Sequence, residues 1–544
     1  MGEAHPVESW DFIVVGAGSA GCALAARLSE SGAHRVLLVE AGEDDRWIWL
    51  RIPTGVARVL VGERAVWRFQ TEPEPGLGGR TIFCPRGRVL GGTAGVNGMF
   101  WVWGYPAVFD AWRAAGNTGW GYDEVVPLLR RMEAYARGDP ARRGRSGPLA
   151  VTAYAPRDPL TDAFLAACTQ AGIPESTDYN ADGCEGAGVM QFSTKRGLRW
   201  GVREGYLRPA MKRGNLRVLT GARATRVLLE GGRATGVEIR HGERLIALRA
   251  AREVALCAGA FQSPQLLELS GIGDARVLQR HGIEVKQPLP SVGENLRDHL
   301  QARVMFEARG LATLNDILPS FWKKARMALR YALFRDGLMS VPGATAHAYA
   351  RLDPASAQPD VKLQLHHLTS PDERNPKRVL LDDFPGFSIG VVQQQPASRG
   401  SVHLRSADPF DAPEIRANFL SAEEDLRAVI EGVRLARRVA AQPALARFVV
   451  REVRPGPGSA SDTELADYLR STIFGSYHQV GTCRMGADAD AVVDPRLRVR
   501  GVAGLRVADA SVLPSIPASN TNAAAVLVGE KAAELMLADA RSVA

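Results

Sequence analysis

The chain has 544 residues, of which 46% are hydrophobic and 23% are charged. This length exceeds what one hydrophobic core usually organises, and the composition excludes a disordered or repetitive protein. The net charge of +8 comes from arginines spread along the chain instead of concentrated in basic runs, which argues against nucleic-acid binding. We therefore expect a soluble globular protein with at least two packed regions.

The six cysteines are widely spaced and form no Cys-x-x-Cys pair. This pattern is typical neither of zinc ligation nor of a secreted disulfide framework, so no metal site is predicted. The first ten residues are polar, and no apolar run approaches the ~18 residues that span a membrane. The sequence therefore predicts neither export nor membrane insertion and favours a reducing cytoplasm.

A strand, a glycine-rich turn and a helix come first in the chain. Apolar residues 11–15 predict a buried parallel strand, and GAGSAG at 16–21 opens an apolar helix. A second strand, 35–39, ends in Glu40, where a carboxylate can accept hydrogen bonds from a ribose. The helix N-terminus offers free amides to a pyrophosphate. These residues predict a dinucleotide site for FAD or NAD, although such a turn can also serve packing alone.

Two long segments carry a family resemblance. Residues 87–101 read GRVLGGTAGVNGMFW and residues 259–273 read GAFQSPQLLELSGIG. Together they resemble the signature segments of the glucose-methanol-choline (GMC) oxidoreductase family. Residues 477–486 (YHQVGTCRMG) and 507–513 (VADASVL), continuing into 519–531, resemble the C-terminal half of that family. The resemblance implies an α/β fold in which an FAD-binding Rossmann-like domain carries a discontinuous α+β substrate-binding domain.

The resemblance also implies that FAD is the cofactor and that it is bound without a covalent link. Members with covalently attached flavin carry a histidine where this chain has Val96. The implied FAD contacts are Gly16, Gly18, Ser19, Ala20, Gly21, Glu40, Ala41, Gly91, Gly92, Thr93, Asn97, Gly98, Met99, Phe100, Ala224, Tyr477, Asp509, Ala510 and Thr521. Residues 91–93 would follow the pyrophosphate, 97–99 would pass beside the isoalloxazine ring, and the backbone of Ala224 would hold the adenine. From the residues alone, a purely structural 91–93 loop stays open.

Oxidation of an alcohol by a flavin needs a base beside the hydroxyl group and a group that stabilises the developing alkoxide. The resemblance places these functions at His478 and Asn520. An unperturbed histidine pKa of ~6.5 leaves a neutral nitrogen available near physiological pH, whereas asparagine donates a hydrogen bond but does not titrate. We predict that His478 accepts the hydroxyl proton while a hydride moves to flavin N5. Asn520 could also simply cap the helix predicted over residues 523–536.

Short strands are predicted in the middle of the chain, where residues 215–220, 224–229, 234–239 and 253–257 alternate or cluster apolar residues between turn glycines. They suit a β-meander with a return strand. Ser263 and Pro264 follow as the predicted cap and first residue of a helix.

The chain divides into five predicted segments. Three of them, 8–160, 215–305 and 470–544, form the FAD-binding domain. The other two, 161–214 and 306–469, lie on the substrate side. Within the last of these, residues 320–339 interleave basic with apolar and aromatic residues. This pattern is typical of a helix lying on a membrane surface, and also of a solvated helix that covers a pocket.

The leading hypothesis is an FAD-dependent alcohol dehydrogenase or oxidase, similar to the choline dehydrogenase-like and alcohol dehydrogenase-like bacterial members of the family. It would convert a small primary alcohol, aliphatic or aromatic, to the aldehyde and pass electrons to O2, a quinone or an artificial acceptor. The alternative is a family member with FAD but non-oxidative chemistry, such as a hydroxynitrile lyase or a fatty-acid photodecarboxylase. Aromatic residues within 99–112 predict a core or an apolar pocket.

Overall fold

Two large sheets form the framework of the protein. A computed structural model describes residues 9–371, 380–518 and 520–542, so the predicted boundaries at 8 and 544 and the first residue of the segment 519–531 lie outside the described residues. The first sheet is here called the cofactor sheet. Its described strands, in order across the sheet, are Leu216–Leu219, Val36–Val39, Ser9–Val15, Arg244–Leu256, Arg233–His241 and Ala222–Glu230, and Leu505–Val507 pairs with the end of Arg244–Leu256.

The centre of the cofactor sheet is parallel. Ser9–Val15 pairs in parallel with Val36–Val39 on one side and with the end of Arg244–Leu256 on the other, and residues 12–15, 36–39 and 254–256 of these strands are buried. Their carboxyl ends therefore meet at one edge, where open α/β sheets bind their ligands. Gly16 and Glu40 directly follow two of these strands.

The meander beside this centre confirms three predicted strands but corrects the start of the last one. The sequence predicted a strand at 253–257, whereas the structure begins it at Arg244. Residues 244–250 pair with Arg233–His241 but alternate between exposed and half-buried positions. The strand was predicted only from the continuous apolar run in its buried half, and residues 244–250 have no such run.

The first and last helices pack against each other on the cofactor sheet. A Cβ added at Gly529 of the helix Asn522–Ser542 would lie 2.3 Å from the carbonyl oxygen of Ala20, in the helix Ser19–Leu28. Glycine is therefore required where the two backbones approach. The last helix, predicted over 523–536, is longer than expected at both ends.

The second sheet, here called the substrate sheet, is antiparallel among its described strands. In order they are Val449–Arg454, Leu300–Ala308, Gly386–Gln393, Val361–His366, Ala344–Ala350 and Gly186–Val189, and Phe474–Gly475 pairs with the start of Leu300–Ala308. The helices that share its apolar core are Pro159–Gln170, Glu423–Ala440, Pro443–Ala446 and Asp462–Thr472. The strand Leu300–Ala308 runs across the division predicted between residues 305 and 306, and the domain boundaries stay a prediction.

One predicted helix start is wrong. Ser263 and Pro264 were expected to be the cap and the first helical residue, but the helix is Gly259–Leu269. Proline inside a helix removes the amide that would bond to the carbonyl four residues earlier. Here the hydroxyl of Thr482 donates to that carbonyl, on Ala260, at 2.7 Å. A residue distant in sequence thus makes this proline acceptable.

The remaining elements connect the two sheets. The helices are Val56–Leu60, Pro106–Ala114, Tyr122–Met132, Arg208–Ala210, Ala275–Arg280, Leu314–Ile317 and Phe321–Phe334. The short strands are Val66–Gln70, Phe83–Gly87, Glu133–Tyr135, Leu149–Ala153, Gln191–Phe192, Thr194–Lys195, Leu198–Arg199, Ile272–Gly273, Gln287–Pro288, Ser401–His403 and Glu414–Arg416. Most aromatic residues of 99–112 are core residues, as the sequence predicted: Trp101, Trp103, Tyr105, Phe109 and Trp112. Across the described ranges, no helix has the length and apolarity that crossing a membrane requires.

Candidate active site

A cavity of about 530 Å³ lies at the carboxyl ends of the parallel strands, between the cofactor sheet and the substrate sheet. The cofactor sheet contributes the loops after its strands, and the substrate sheet contributes Gln301, Gln364 and His366. The cavity brings together all the predicted site residues except Gly21 and Gly91, which lie behind its wall.

Two glycine turns meet at the floor of this cavity. A Cβ added at Gly92 would lie 2.6 Å from the Cα of Gly18, so the two turns touch. A Cβ added at Gly18, by contrast, would have no described atom nearer than 4.0 Å, the carbonyl oxygen of Cys257. Gly18 is the N-cap of the helix Ser19–Leu28, and no described side chain caps that helix. The open space above Gly18 and the uncapped amides fit a pyrophosphate.

Glu40 lies at the nucleotide end of the cavity. Its carboxylate accepts hydrogen bonds from the amides of Ala17 and Gly42, both at 2.8 Å. Burial raises the pKa of Glu40 to about 7, against the opposing effect of these two bonds. The carboxylate thereby fixes the start of the first glycine turn and keeps lone pairs for a ribose hydroxyl.

The loop from Asn97 to Phe100 forms another wall. The side-chain oxygen of Asn97 accepts a hydrogen bond from the amide of Met99 and one from the guanidinium of Arg199, both at 2.9 Å. Arg199, which the sequence did not indicate, also donates to the carbonyl of Asn97 at 2.7 Å. Val96 is fully buried in a small aliphatic cluster that includes Val89.

The remaining predicted contacts lie on the same cavity. Ala224 lines it beside an irregularity in the pairing of its strand with Arg233–His241. Asp509 also lines it, but its carboxylate accepts hydrogen bonds from the amide of Gly259 at 2.8 Å and the hydroxyl of Ser263 at 2.6 Å. These two hydrogen bonds give Asp509 the role of a structural turn residue at the edge of the cavity.

Asp298, which the sequence did not single out, fixes the backbone at the catalytic end. One carboxylate oxygen accepts from the amide of His478 at 2.7 Å and from that of His299 at 2.8 Å, and the other accepts from the side chain of Gln479 at 2.6 Å. Burial raises the pKa of Asp298 to about 7. Through this one carboxylate, two histidines from different parts of the chain are placed side by side.

The two histidine rings belong to one chain of hydrogen bonds. His299 Nε2 lies 2.9 Å from the carbonyl oxygen of Gln394, and His299 Nδ1 lies 3.0 Å from His478 Nδ1. On its other side, His478 Nε2 lies 2.9 Å from Asn520 Nδ2. The ammonium of Lys362 donates to Asn520 Oδ1 at 3.1 Å. His478 and Asn520 both border the cavity, while His299 and Lys362 are buried behind them.

The charges around His478 oppose its protonation. Burial lowers the pKa of His478 well below the usual value of 6.5, and the neighbouring His299, Lys362 and Arg86 lower it further. Burial also lowers the pKa of Lys362 to about 7. His478 is therefore a neutral imidazole at physiological pH.

Comparison with known proteins identifies the family. Models described as GMC oxidoreductase match residues 10–301 and 396–529. The chain belongs to the GMC oxidoreductase family. An oxygen-dependent choline dehydrogenase of Photobacterium profundum is 40% identical over 537 residues, which cover 97% of this chain and 93% of that relative. One of Rhizobium etli is 41% identical over 529 residues, 97% of this chain and 95% of the relative.

Solved structures of GMC oxidoreductases confirm the predicted fold. A pyridoxine 4-oxidase from Mesorbium loti superposes with a TM-score of 0.86 at 30% identity and covers 96% of this chain and 98% of its own. A formate oxidase of Aspergillus oryzae superposes with a TM-score of 0.92 at 26% identity and covers 99% of this chain and 100% of its own.

Membership of the family confirms the predicted cofactor and class of activity. As a GMC oxidoreductase, the chain is an FAD-dependent enzyme that oxidises CH–OH donors. The residues present fit FAD: the open cradle above Gly18, the carboxylate of Glu40 and the loop at Asn97 all face one cavity. The flavin is bound noncovalently, since the buried, aliphatic Val96 stands where members with covalently attached flavin carry a histidine and offers no nitrogen for the link.

The cradle makes a direct prediction for FAD affinity. We expect Gly18→Ala to fold normally, because its methyl group has space and its φ of −79° suits alanine. The methyl group would occupy the space that the pyrophosphate needs, which costs about 1–2 kcal/mol, or roughly 5- to 30-fold in Kd. Fluorescence titration of the apoprotein with FAD measures this loss. The control is Gly214→Ala, since Gly214 also has open space around it but does not line the cavity; equal Kd values for both variants would contradict the prediction.

Proposed function

We propose that the protein oxidises a small primary alcohol to the aldehyde, with His478 Nε2 accepting the hydroxyl proton and Asn520 stabilising the alkoxide. The single observation that supports this most is the hydrogen-bond chain from Gln394 to Lys362 through both residues. This chain supports one assignment of the proton on the His478 ring.

The proton positions follow from the two ends of the chain. A carbonyl oxygen only accepts, so His299 Nε2 carries a proton and donates it to Gln394. In the state with both rings neutral, which we propose as the one that binds the alcohol, His299 Nδ1 has only a lone pair and His478 Nδ1 donates between the rings. His478 Nε2 is consequently left with a lone pair that faces Asn520. An unprotonated nitrogen that borders the cavity is what a general base requires.

The buried Lys362 fixes the orientation of the Asn520 side chain. Its Oδ1 accepts from the ammonium of Lys362, so the amide group presents Nδ2, a donor, to the same place as the lone pair of His478. An alcohol oxygen placed there meets an acceptor for its proton and a donor for the charge that develops on the oxygen. The geometry favours this division of work because asparagine cannot take a proton itself.

The chemistry balances with one cofactor. Bound FAD would supply the acceptor for the hydride of the carbon that bears the hydroxyl group. His478 takes the proton of that hydroxyl group, and the carbonyl group of the aldehyde is formed. The relatives named oxygen-dependent choline dehydrogenase support a small alcohol as substrate and O2 as acceptor. Gln301 and Gln364 border the cavity on the substrate sheet and favour an alcohol with a further polar group.

Anaerobic reduction of the flavin tests this function. We expect at least one of a panel of primary alcohols to bleach the visible absorbance of the bound flavin, with an equivalent amount of aldehyde formed. Admission of air should restore the oxidised spectrum. Photoreduction of the same sample serves as the control that its flavin can be reduced. If the flavin stays oxidised with every alcohol while the protein cleaves a cyanohydrin, or decarboxylates a fatty acid in light, the non-oxidative alternative is correct.

A further inference from the structure

The helix Phe321–Phe334 differs from the other long helices in its exposure. Trp322 is 79% exposed, Leu329 is 61% exposed and Leu333 is 66% exposed, and the phenylalanines at both ends of the helix are exposed as well. Within this fully described helix Tyr331 is the buried side chain, and its hydroxyl donates to the carbonyl of Gly197 at 2.7 Å. The helix is thus fastened to the protein along one line and otherwise faces outward.

Three of the exposed apolar residues form a stripe along the helix. With about 100° of rotation per residue, Trp322, Leu329 and Leu333 fall within ~40° of one another. The centre of this stripe lies opposite Tyr331, which contacts the protein. The stripe therefore points directly away from the molecule. A helix that covered a pocket would bury its apolar face instead.

Basic side chains follow one side of the stripe, because Lys323, Arg326 and Arg330 lie about 40–100° from its centre around the helix axis. Residues 320–339 contain five basic residues, Lys323, Lys324, Arg326, Arg330 and Arg335, against the single acid Asp336. Arg330 pairs with Asp336 at 2.6 Å and Lys323 pairs with Asp316 at 2.6 Å, which holds two of these cations at the protein surface. The side chains of Lys324 and Arg326 are exposed.

The helix lies at the rim of the candidate active site. The turn Leu338–Ser340 follows the helix and contacts the turn Pro53–Gly55. Val56 continues from that second turn into the wall of the cavity, and Pro342 lines the same wall. The exposed side chain of Ile48, 54% exposed, lies on the segment just before Pro53–Gly55.

We propose that the helix Phe321–Phe334 docks the enzyme on an anionic lipid surface. Trp322, Leu329 and Leu333 would enter the boundary between headgroups and acyl chains, and the basic residues would contact the headgroups. A second copy of the chain fits less well, because a twofold contact through this helix would bring the same excess of positive charge together from both sides. Docking would turn the rim of the cavity toward the membrane.

Flotation of the holoenzyme with lipid vesicles tests the proposal. We expect the protein to float with vesicles of phosphatidylglycerol and phosphatidylcholine, and to stay in the dense fraction with phosphatidylcholine alone. Leu329→Ser with Leu333→Ser removes two apolar side chains and should lower the partition at least tenfold. Arg326→Glu, which reverses the exposed charge nearest the stripe, should weaken binding to the anionic vesicles by roughly fivefold or more. Neither variant changes a residue of the candidate active site, so flavin reduction should be unaffected and should report correct folding.

A matched control comes from the cofactor sheet. Leu245 is 63% exposed on the strand Arg244–Leu256, far along the chain from the helix, and Leu245→Ser should float like the unchanged protein. The proposal is overturned if the unchanged protein does not float with anionic vesicles, or if Leu245→Ser loses as much binding as the double variant. A dimer in sedimentation that the double variant converts to a monomer would overturn it in favour of contact between copies.

Discussion

Replacement of His478 by alanine is expected to leave FAD bound and to slow reduction of the flavin by alcohol about 10²- to 10⁴-fold, the usual contribution of a general base. The reason is that, in the proposed arrangement of protons, Nε2 of His478 carries the lone pair that borders the cavity while Nδ1 donates to His299. Anaerobic stopped-flow measurement of flavin absorbance gives the rate directly. Asn520→Ala should slow the same step less, because it removes a stabilising donor and not the proton acceptor.

His366 provides a control for this result. It lines the same cavity, and burial lowers its pKa well below 6.5, as it does for His478. Its ring lies 3.4 Å from the side chain of Gln301, and the chain that runs from Gln394 through His299, His478 and Asn520 to Lys362 does not pass through it. His366→Asn should therefore keep most of the reduction rate. The base assignment would be refuted if flavin reduction in His478→Ala were as fast as in the unchanged enzyme. It would also be refuted if the rate fell no further in His478→Ala than in His366→Asn.

The cofactor half of the site could be predicted because its signals are local. Gly16 has a φ of +103°, and a Cβ added there would lie 2.5 Å from the carbonyl oxygen of Cys257. Because only glycine meets such constraints on the backbone, glycines occur at fixed spacing after the strand, and this pattern can be recognised in the sequence. Glu40 is found in the same way, because it ends the next strand. The family resemblance then selected FAD over NAD.

The partners of His478 could not be predicted, because they come together only through the substrate sheet. His299 lies 179 positions before His478, and Lys362 lies 158 positions before Asn520. No local pattern joins such residues. One signal was present for Lys362: it is the single charged residue in VKLQLH, a strand that is buried along its whole length. A lone lysine in a fully buried strand needs a specific partner.

Lys362 is expected to be a positioning residue for this reaction, and Lys362→Met tests it. The side chain is 1% exposed, and its ammonium fixes the orientation of Asn520 through Oδ1. Loss of a hydrogen bond to a charged group costs ~1.5–3 kcal/mol, so flavin reduction should fall roughly 10- to 150-fold. The exposed Lys195→Met serves as the control and should leave the rate unchanged.

The pH dependence of the same variant separates a positioning role from a general loss of structure. Lys362 lowers the pKa of His478, so removing its charge should raise that pKa and move the acid limb of kcat/KM to higher pH. The pKa of Lys362 is about 7, so the lysine is charged in the acidic range where this limb lies. Lys362→Gln removes the charge but keeps an N–H donor, one bond shorter. It should show the same shift of the limb with a smaller loss of rate, and an acid limb that stays in place in both variants would contradict the role of Lys362.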